Sequence, residues 1–199
     1  MPKSAGPEPG IAAIGAVILA AGSGRRIGTP KLRLEATGRS FLEIILDRLK
    51  QAEIAPVACV VAVEQAEWAR PYTAGRSLLI NPHPELGMFS SVQIGTNALR
   101  TCRGLFIVPV DHPFVALSTY QQLKQAFQHH PDTIIKPGFH GRPGHPVLLP
   151  REAVAQALIA PTDATLQQVL RQSGIRQLLV EAADEGVLRN INQKGDIED

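Results

Sequence analysis

Cysteine and aromatic residues are scarce in this 199-residue sequence, and its positive and negative charges nearly balance. The two cysteines, Cys59 and Cys102, stand 43 positions apart, which is the spacing of neither a zinc knuckle nor a secreted disulfide framework. The formal net charge of +2 is too small to indicate a nucleic-acid-binding protein. We therefore expect a reduced, cytoplasmic protein whose partners do not include nucleic acid.

The sequence also has no apolar run of membrane-spanning length. Its longest, residues 11–21, is shorter than the roughly 20 residues needed to cross a bilayer, and prolines and a glutamate precede it where a signal peptide has basic residues. We expect neither export nor membrane association. Residues 1–10 include three prolines and two glycines, so residues 1–13 are predicted to form a flexible leader.

Apolar runs of strand length alternate with helical patterns along the rest of the chain. The candidate strands are residues 14–20, 57–63, 78–80, 105–110, 133–136, 146–149 and 177–180. Several are continuously apolar, which is typical of strands buried on both faces of a parallel sheet. We predict one doubly wound α/β domain over residues 14–199, with a mostly parallel sheet and a ligand beyond the carboxyl ends of its strands.

Helix starts are predicted from capping residues and apolar spacing. Ser40 and Glu43 have the spacing of a capping box and precede a helix with one apolar face. Similar patterns begin at Ser90, Ser118, Arg151 and Thr162. A helical pattern over residues 64–73 is weaker because Pro71 interrupts it.

The loop after the first strand, within residues 19–31, combines three glycines with three cationic residues. Glycines let backbone amides turn toward an anion, and Arg26 and Lys31 can neutralise a polyphosphate. The spacing matches neither the dinucleotide-binding fingerprint nor the P-loop. A flexible loop with solvated arginines is the alternative to a phosphate-binding loop.

This loop, Leu19-Ala20-Ala21-Gly22-Ser23-Gly24-Arg25-Arg26-Ile27-Gly28-Thr29-Pro30-Lys31, resembles the signature Leu-Ala-Ala-Gly-x-x-x-Arg-Met-Gly-x-x-Lys of the MobA-like NTP transferases. The resemblance implies a three-layer α/β/α, Rossmann-like nucleotidyltransferase fold. It also implies that Arg26 binds the β and γ phosphates and that Lys31 stabilises the α-phosphate during transfer. The nucleotide-binding residues expected from it are Leu19, Ala20, Ala21, Gly22, Ser23, Gly24, Arg25 and Lys31.

An aspartate, Asp111, follows the apolar strand at residues 105–110. A carboxylate at this edge is a suitable ligand for Mg²⁺ beside a nucleotide, whereas the structural alternative is a turn or a helix cap. The resemblance favours the metal ligand, because the family has an aspartate here that holds the metal. His112 is open to two interpretations, contact with the acceptor substrate or packing within the loop.

The segment Gly87-Met88-Phe89-Ser90-Ser91 leads into the N-terminus of a predicted helix. Ser90 is expected to cap that helix, and the free amides there suit a polar ligand. The segment resembles a Gly-Met/Leu-x-x-Ser element that flanks the nucleobase in molybdenum cofactor cytidylyltransferases, which implies nucleotide contacts by Gly87, Met88, Ser90 and Ser91. Together with Ala21, this resemblance favours cytosine over guanine as the nucleobase.

Two further segments carry polar residues of interest. Residues 138–147 have the composition of a hairpin turn, and their Gly-His-Pro step resembles a family element on the acceptor side, which implies acceptor contacts by Arg142 and His145. Residues 189–197 resemble the family's C-terminal element without its Thr-Pro, which implies a second metal-side position at Asn192. A polar C-terminal turn is the alternative for that segment.

Taken together, the resemblance implies a Mg²⁺-dependent enzyme that transfers CMP from CTP to molybdopterin and releases pyrophosphate. Lys31, Arg26 and Asp111 would be its catalytic residues, and a molybdoenzyme client is a further expected partner. Two alternatives stay open. One is a guanylyltransferase or another nucleotidyltransferase acting on a small phosphorylated acceptor, and the other is a non-catalytic carrier or insertion chaperone for the cofactor.

Overall fold

The computed structural model describes residues 13–22, 28–191 and Asp196. Ten strands lie in this part of the chain: β1 Ile14–Ala20, β2 Glu35–Ala36, β3 Arg39–Ser40, β4 Val57–Ala62, β5 Ser77–Asn81, β6 Gly104–Pro109, β7 Ile134–Phe139, β8 Arg142–Pro143, β9 Val147–Pro150 and β10 Gln177–Glu181. The six α-helices are α1 Phe41–Gln51, α2 Ala66–Ala69, α3 Met88–Ala98, α4 Leu117–His129, α5 Arg151–Ile159 and α6 Leu166–Gln172. All seven predicted strands are present, with ends that differ from the prediction by up to three residues.

The main sheet has eight strands, seven of them in the order β10-β7-β9-β6-β1-β4-β5, and β8 pairs with β7. The contacts of β1 with β4 and β6, of β4 with β5 and of β7 with β10 are parallel. In contrast, β9 runs antiparallel to both β6 and β7, and β7 and β8 form an antiparallel hairpin. The mostly parallel sheet and the hairpin are therefore confirmed.

Helices cover both faces of this sheet, which gives three layers. Alternate residues of β1 point to opposite faces: Ile18 belongs to a core packed against α1 and α4, and Val17 to a core packed against α3, α5 and α6. Both residues are fully buried. The fold is the three-layer, Rossmann-like α/β/α arrangement that the sequence predicted.

The capping box of α1 is present, since Ser40 accepts a hydrogen bond from the Glu43 amide and the Glu43 carboxylate accepts one from the Ser40 amide. The predicted start of α5 at Arg151 is also confirmed, whereas the bounds of other helices were predicted less well. α4 begins at Leu117, α6 begins after its own capping box of Thr165 and Gln168, and α2 ends at Ala69, before Pro71.

The prediction that Ser90 caps α3 is wrong. The N-cap is Gly87, whose φ of 95° is favourable for glycine, and it makes no side-chain capping bond. Ser90 lies inside the helix, where its hydroxyl donates back to the Gly87 carbonyl at 2.8 Å. Every helix in the described ranges is too short or not apolar enough to cross a membrane.

Candidate active site

Lys31 and Asp111 meet at the carboxyl edge of the sheet. Lys31 begins a short 3-10 helix after the β1 loop, and Asp111 follows the end of β6, the parallel neighbour of β1. The Val110 amide donates to the Leu19 carbonyl at 3.1 Å and holds the two strand ends together. The Lys31 Nζ atom lies 2.7 Å from Asp111 Oδ2, and the two side chains keep 20% and 19% of their surface exposed. The ion pair is accessible to a ligand.

A small cavity of about 160 Å³ opens beside this pair. Among the residues predicted to bind nucleotide or metal, it is lined by Leu19, Ala21, Gly22, Lys31, Gly87, Met88, Ser91 and Asp111. Ala20 is fully buried and Ser90 is largely buried, and neither lines this cavity. The structure thus brings together two glycine-containing loops, a cation and a carboxylate, which together can accommodate a phosphorylated ligand.

The first turn of α3 is held by Asn81, a buried residue at the end of β5 that sequence reasoning missed. Its Nδ2 atom donates to the hydroxyl oxygens of Ser90 and Ser91, both at 2.8 Å. Its Oδ1 atom accepts a hydrogen bond from the His83 amide at 2.9 Å. One amide therefore joins β5, the loop before α3 and the helix itself. An asparagine directly after an apolar strand was the available signal.

A larger cavity of about 530 Å³ adjoins the small one and shares Leu19, Gly87, Met88 and Pro109 with it. Apolar side chains such as Phe89 line most of its wall, and Lys136 and His145 also face it. Its size and position suit a second substrate. Arg142, in contrast, is exposed on β8 and is not among the residues that line this cavity.

His112 and His145 pack against each other, with ring centroids 4.8 Å apart. His112 is buried and its Nε2 atom is 4.0 Å from Asp111 Oδ1. Burial lowers the pKa of His112, and the Lys31 charge lowers it further while Asp111 opposes the shift. Burial, followed by the effect of His112, lowers the pKa of His145 to about 4. Both rings are therefore neutral near pH 7.

The segment after β10 supports the loop that carries Asp111. Asp184 accepts hydrogen bonds from the Ala116 amide at 2.8 Å and the Thr119 hydroxyl at 2.6 Å. Sequence reasoning missed this aspartate, whose partners are 68 and 65 positions away. Further on, the Ile191 amide donates to the Asp111 carbonyl at 2.9 Å. The chain just before Asn192 therefore runs beside Asp111.

Several predicted site residues, namely Ser23, Gly24, Arg25, Arg26 and Asn192, lie outside the described residues, as do residues 1–12 of the predicted leader. Within the described ranges, no group of three or more histidine, cysteine, aspartate or glutamate side chains is arranged to hold a metal ion. Mg²⁺ beside a nucleotide commonly uses only one or two carboxylates together with phosphate oxygens and water. Asp111 at the cavity wall fits that requirement.

The sequence profile of the MobA-like NTP transferase domain matches residues 16–181, most of the chain. The chain belongs to the MobA-like NTP transferase family. Its members are nucleotidyltransferases, which agrees with the cavity beside Lys31 and Asp111. No curated protein gave a significant match to this chain.

Solved structures share the fold at low sequence identity. Rv0371c from Mycobacterium tuberculosis H37Rv aligns with a TM-score of 0.77 and 20% identity over 95% of this chain and 100% of its own. A structure of that protein in complex with manganese has a TM-score of 0.73, with 19% identity over 93% of this chain and 96% of its own. Molybdopterin-guanine dinucleotide biosynthesis protein A from Archaeoglobus fulgidus has a TM-score of 0.69, with 17% identity over 93% and 95%.

Proposed function

We propose that this protein is a Mg²⁺-dependent nucleotidyltransferase that transfers CMP from CTP to molybdopterin and releases pyrophosphate. The observation that carries the proposal is the accessible Lys31–Asp111 pair, set between two glycine-containing loops at the mouth of a cleft. A cation and a carboxylate side by side suit a ligand that brings both a polyphosphate and a divalent metal.

Each member of the pair would exchange its partner when CTP binds. The Lys31 ammonium would leave the Asp111 carboxylate for an α-phosphate oxygen, and Asp111, with Asn192, would hold Mg²⁺. When bound, Mg²⁺ supplies charge neutralisation for the phosphates. The manganese complex of the mycobacterial protein supports a divalent metal, and the approach of Ile191 to Asp111 supports its placement between Asp111 and Asn192. Arg26 would bind the β and γ phosphates.

The base would lie near Gly87, Met88 and Ser91, which line the small cavity together with Ala21. The identities of Ala21 and Met88 support cytosine, because guanylyltransferase relatives tend to carry Leu-Ala-Gly-Gly in the first loop and Gly-Pro-Leu here. The Gly87 amide and the following turn of α3 offer hydrogen-bond donors and the positive end of the helix dipole.

The acceptor would occupy the larger cavity, whose apolar wall suits a flat ring system and whose polar groups suit a phosphate. Lys136 lines this cavity, and burial lowers the pKa of its ammonium group. The neutral His145 ring is available as a hydrogen-bond donor, with His112 packed behind it. Arg142 would meet the acceptor only from the exposed hairpin, so its predicted role depends on a movement of β8.

The reaction requires positioning more than proton transfer. An ionised oxygen of the acceptor phosphate attacks the α-phosphorus of CTP and forms a new phosphorus–oxygen bond. The bond between the α-phosphorus and the oxygen that bridges it to the β-phosphate breaks. Pyrophosphate leaves with the electron pair. No strong general base is needed because the nucleophile is already an anion, so Lys31 and Arg26 act by holding the two anions together and neutralising charge.

A pyrophosphate-release assay tests this proposal. Purified protein is given CTP, GTP, ATP or UTP, with or without molybdopterin, in Mg²⁺ or in EDTA. We expect release with CTP only when both molybdopterin and Mg²⁺ are present. A preference for GTP would indicate the guanylyl reaction, and turnover with a sugar phosphate would indicate a different acceptor. Cofactor binding without release from any nucleotide would indicate a carrier and overturn the proposal.

A further inference from the structure

The side-chain amide of Asn81 has an unambiguous orientation, although its oxygen and nitrogen atoms are similar in size. The His83 backbone N–H can only donate, so the atom 2.9 Å away must be the amide oxygen of Asn81. The amide nitrogen therefore faces α3, where it lies 2.8 Å from each of the Ser90 and Ser91 hydroxyl oxygens. Asn81 is only 1% exposed, so these bonds are shielded from bulk solvent.

This orientation fixes the polarity of both serine hydroxyls. Each hydroxyl oxygen accepts a hydrogen bond from Asn81, so each must direct its own hydrogen elsewhere. Ser90 donates its hydrogen to the Gly87 carbonyl at 2.8 Å. Within the described residues, Ser91 Oγ has no acceptor for its hydrogen, and Ser91 lines the small cavity. Its hydrogen is thus available to a ligand.

We infer that Asn81 is a positioning residue that makes Ser91 a hydrogen-bond donor toward an acceptor oxygen or nitrogen of the bound nucleotide. This inference rests on the proposed function, since it assumes that a nucleotide occupies the small cavity. Asn81 does not touch the nucleotide. It acts through the direction of one hydroxyl group, so its effect depends on Ser91.

Replacement by aspartate reverses this polarity. In Asn81→Asp one carboxylate oxygen still accepts from the His83 amide, so the loop keeps its anchor. The other oxygen can only accept, and both serine hydroxyls turn toward it. The Ser91 hydrogen is then withdrawn from the cavity. We expect Asn81→Asp and Ser91→Ala each to weaken CTP binding about fivefold, the effect of one neutral hydrogen bond.

A double-mutant cycle distinguishes this role from a structural one. CTP binding in Mg²⁺ is measured by calorimetry for the wild type, both single variants and the double variant. We expect the double variant to bind within about twofold of Ser91→Ala, because Asn81 has nothing left to orient. Asn97→Asp, the same change at an exposed position of α3, should bind CTP like the wild type.

Independent effects would overturn the inference. If loop damage or repulsion of the phosphates by the new charge caused the loss, the double variant would bind about 25-fold more weakly than the wild type. Wild-type affinity in Asn81→Asp would also overturn it. If that variant does not fold, Asn81→Ala enters the same cycle, since it removes the group that fixes the direction of the Ser91 hydroxyl without adding charge, and the double variant should again bind within about twofold of Ser91→Ala. A wild-type protein that binds none of the four nucleotides refutes both this inference and the proposed function, whereas CTP turnover with independent effects refutes this inference alone.

Discussion

The Nζ atom of Lys31 lies 2.7 Å from Oδ2 of Asp111, although 80 positions separate these residues in the sequence. The contact exists because β1 and β6 are parallel neighbours, so the segments that follow them leave the sheet at the same edge. Each charge holds the other at the mouth of the cleft. In the proposed reaction the same two groups receive the substrate phosphate and the metal.

Loss of either charge should abolish turnover without unfolding the protein. We expect Lys31→Ala and Asp111→Ala each to lower the rate of pyrophosphate release by at least about 100-fold, since each removes charge stabilisation of the transition state. Both side chains lie at the mouth of the cleft, where they are about one-fifth exposed, and not in the apolar core. The circular dichroism spectrum of each variant should therefore stay that of the wild type. Lys50→Ala, at an exposed position of α1, is the control and should retain full activity. Release at the wild-type rate by either site variant would refute its assigned role.

Gly144 permits a close contact between the acceptor-side loop and the segment after β10. A Cβ atom at this position would lie 2.3 Å from the Val187 carbonyl oxygen, which accepts a hydrogen bond from the His145 amide. Gly144→Ala should therefore destabilise the fold by about 1–3 kcal/mol in urea unfolding and raise the KM for the acceptor. Gln128→Ala, on the exposed side of α4, should do neither. Unchanged stability in Gly144→Ala would contradict the packing described here.

The capping box of α1 predicts a pH-dependent contribution to stability. The Ser40 side chain and then the Ser40 amide lower the pKa of Glu43 by hydrogen bonding. A carboxylate whose pKa is lower in the folded state stabilises the fold above its unfolded pKa, and this contribution is lost as pH falls through the folded value. Ser40→Ala should cost about 1 kcal/mol at pH 7.

Urea unfolding at several pH values checks this prediction. The difference in unfolding free energy between the wild type and Ser40→Ala should shrink as the pH falls through the lowered pKa of Glu43, because the carboxylate is then protonated. In a Glu43→Gln background, the effect of Ser40→Ala should change much less with pH. A difference that stays constant from pH 7 to pH 3 would show that the Glu43 carboxylate does not contribute.

The two cysteines should be unreactive in the folded protein. Both are buried, and burial raises the pKa of the Cys59 thiol to about 12 and also raises that of Cys102. Since the thiolate is the reactive form, Ellman's reagent at pH 8 should modify neither cysteine in the native protein and both after unfolding. Rapid modification of one thiol in the native state would show that this thiol is not buried in the core.

Local sequence patterns predicted most of the fold. The apolar run of β1 and the capping box of Ser40 and Glu43 are signals contained within a few residues, and both were confirmed. The direction of β9 was not predictable in this way, because a short apolar run reads the same in a parallel or an antiparallel strand. Its pairing with β6 is set by the path of the whole chain.

Only part of the candidate site could be predicted, again because local sequence patterns do not show contacts between distant elements. Lys31 and Asp111 follow apolar strands, so their shared edge could be expected from the sequence, and the structure brings them into contact. Asn81 also follows an apolar strand, but neither its role nor that of Asp184 could be predicted, because both depend on hydrogen bonds to partners on other elements. Ser90 was misassigned as a cap because the positive φ of Gly87 is a property of the folded loop.

A crystal structure with a non-hydrolysable CTP analogue and Mg²⁺ tests the central claim most directly. The proposed mechanism predicts the triphosphate in the small cavity, with Mg²⁺ about 2.1 Å from an Asp111 carboxylate oxygen. It also predicts the Lys31 ammonium about 2.8 Å from an α-phosphate oxygen, with the 2.7 Å contact between Lys31 and Asp111 broken. A nucleotide bound elsewhere, with that ion pair intact, would contradict the claim.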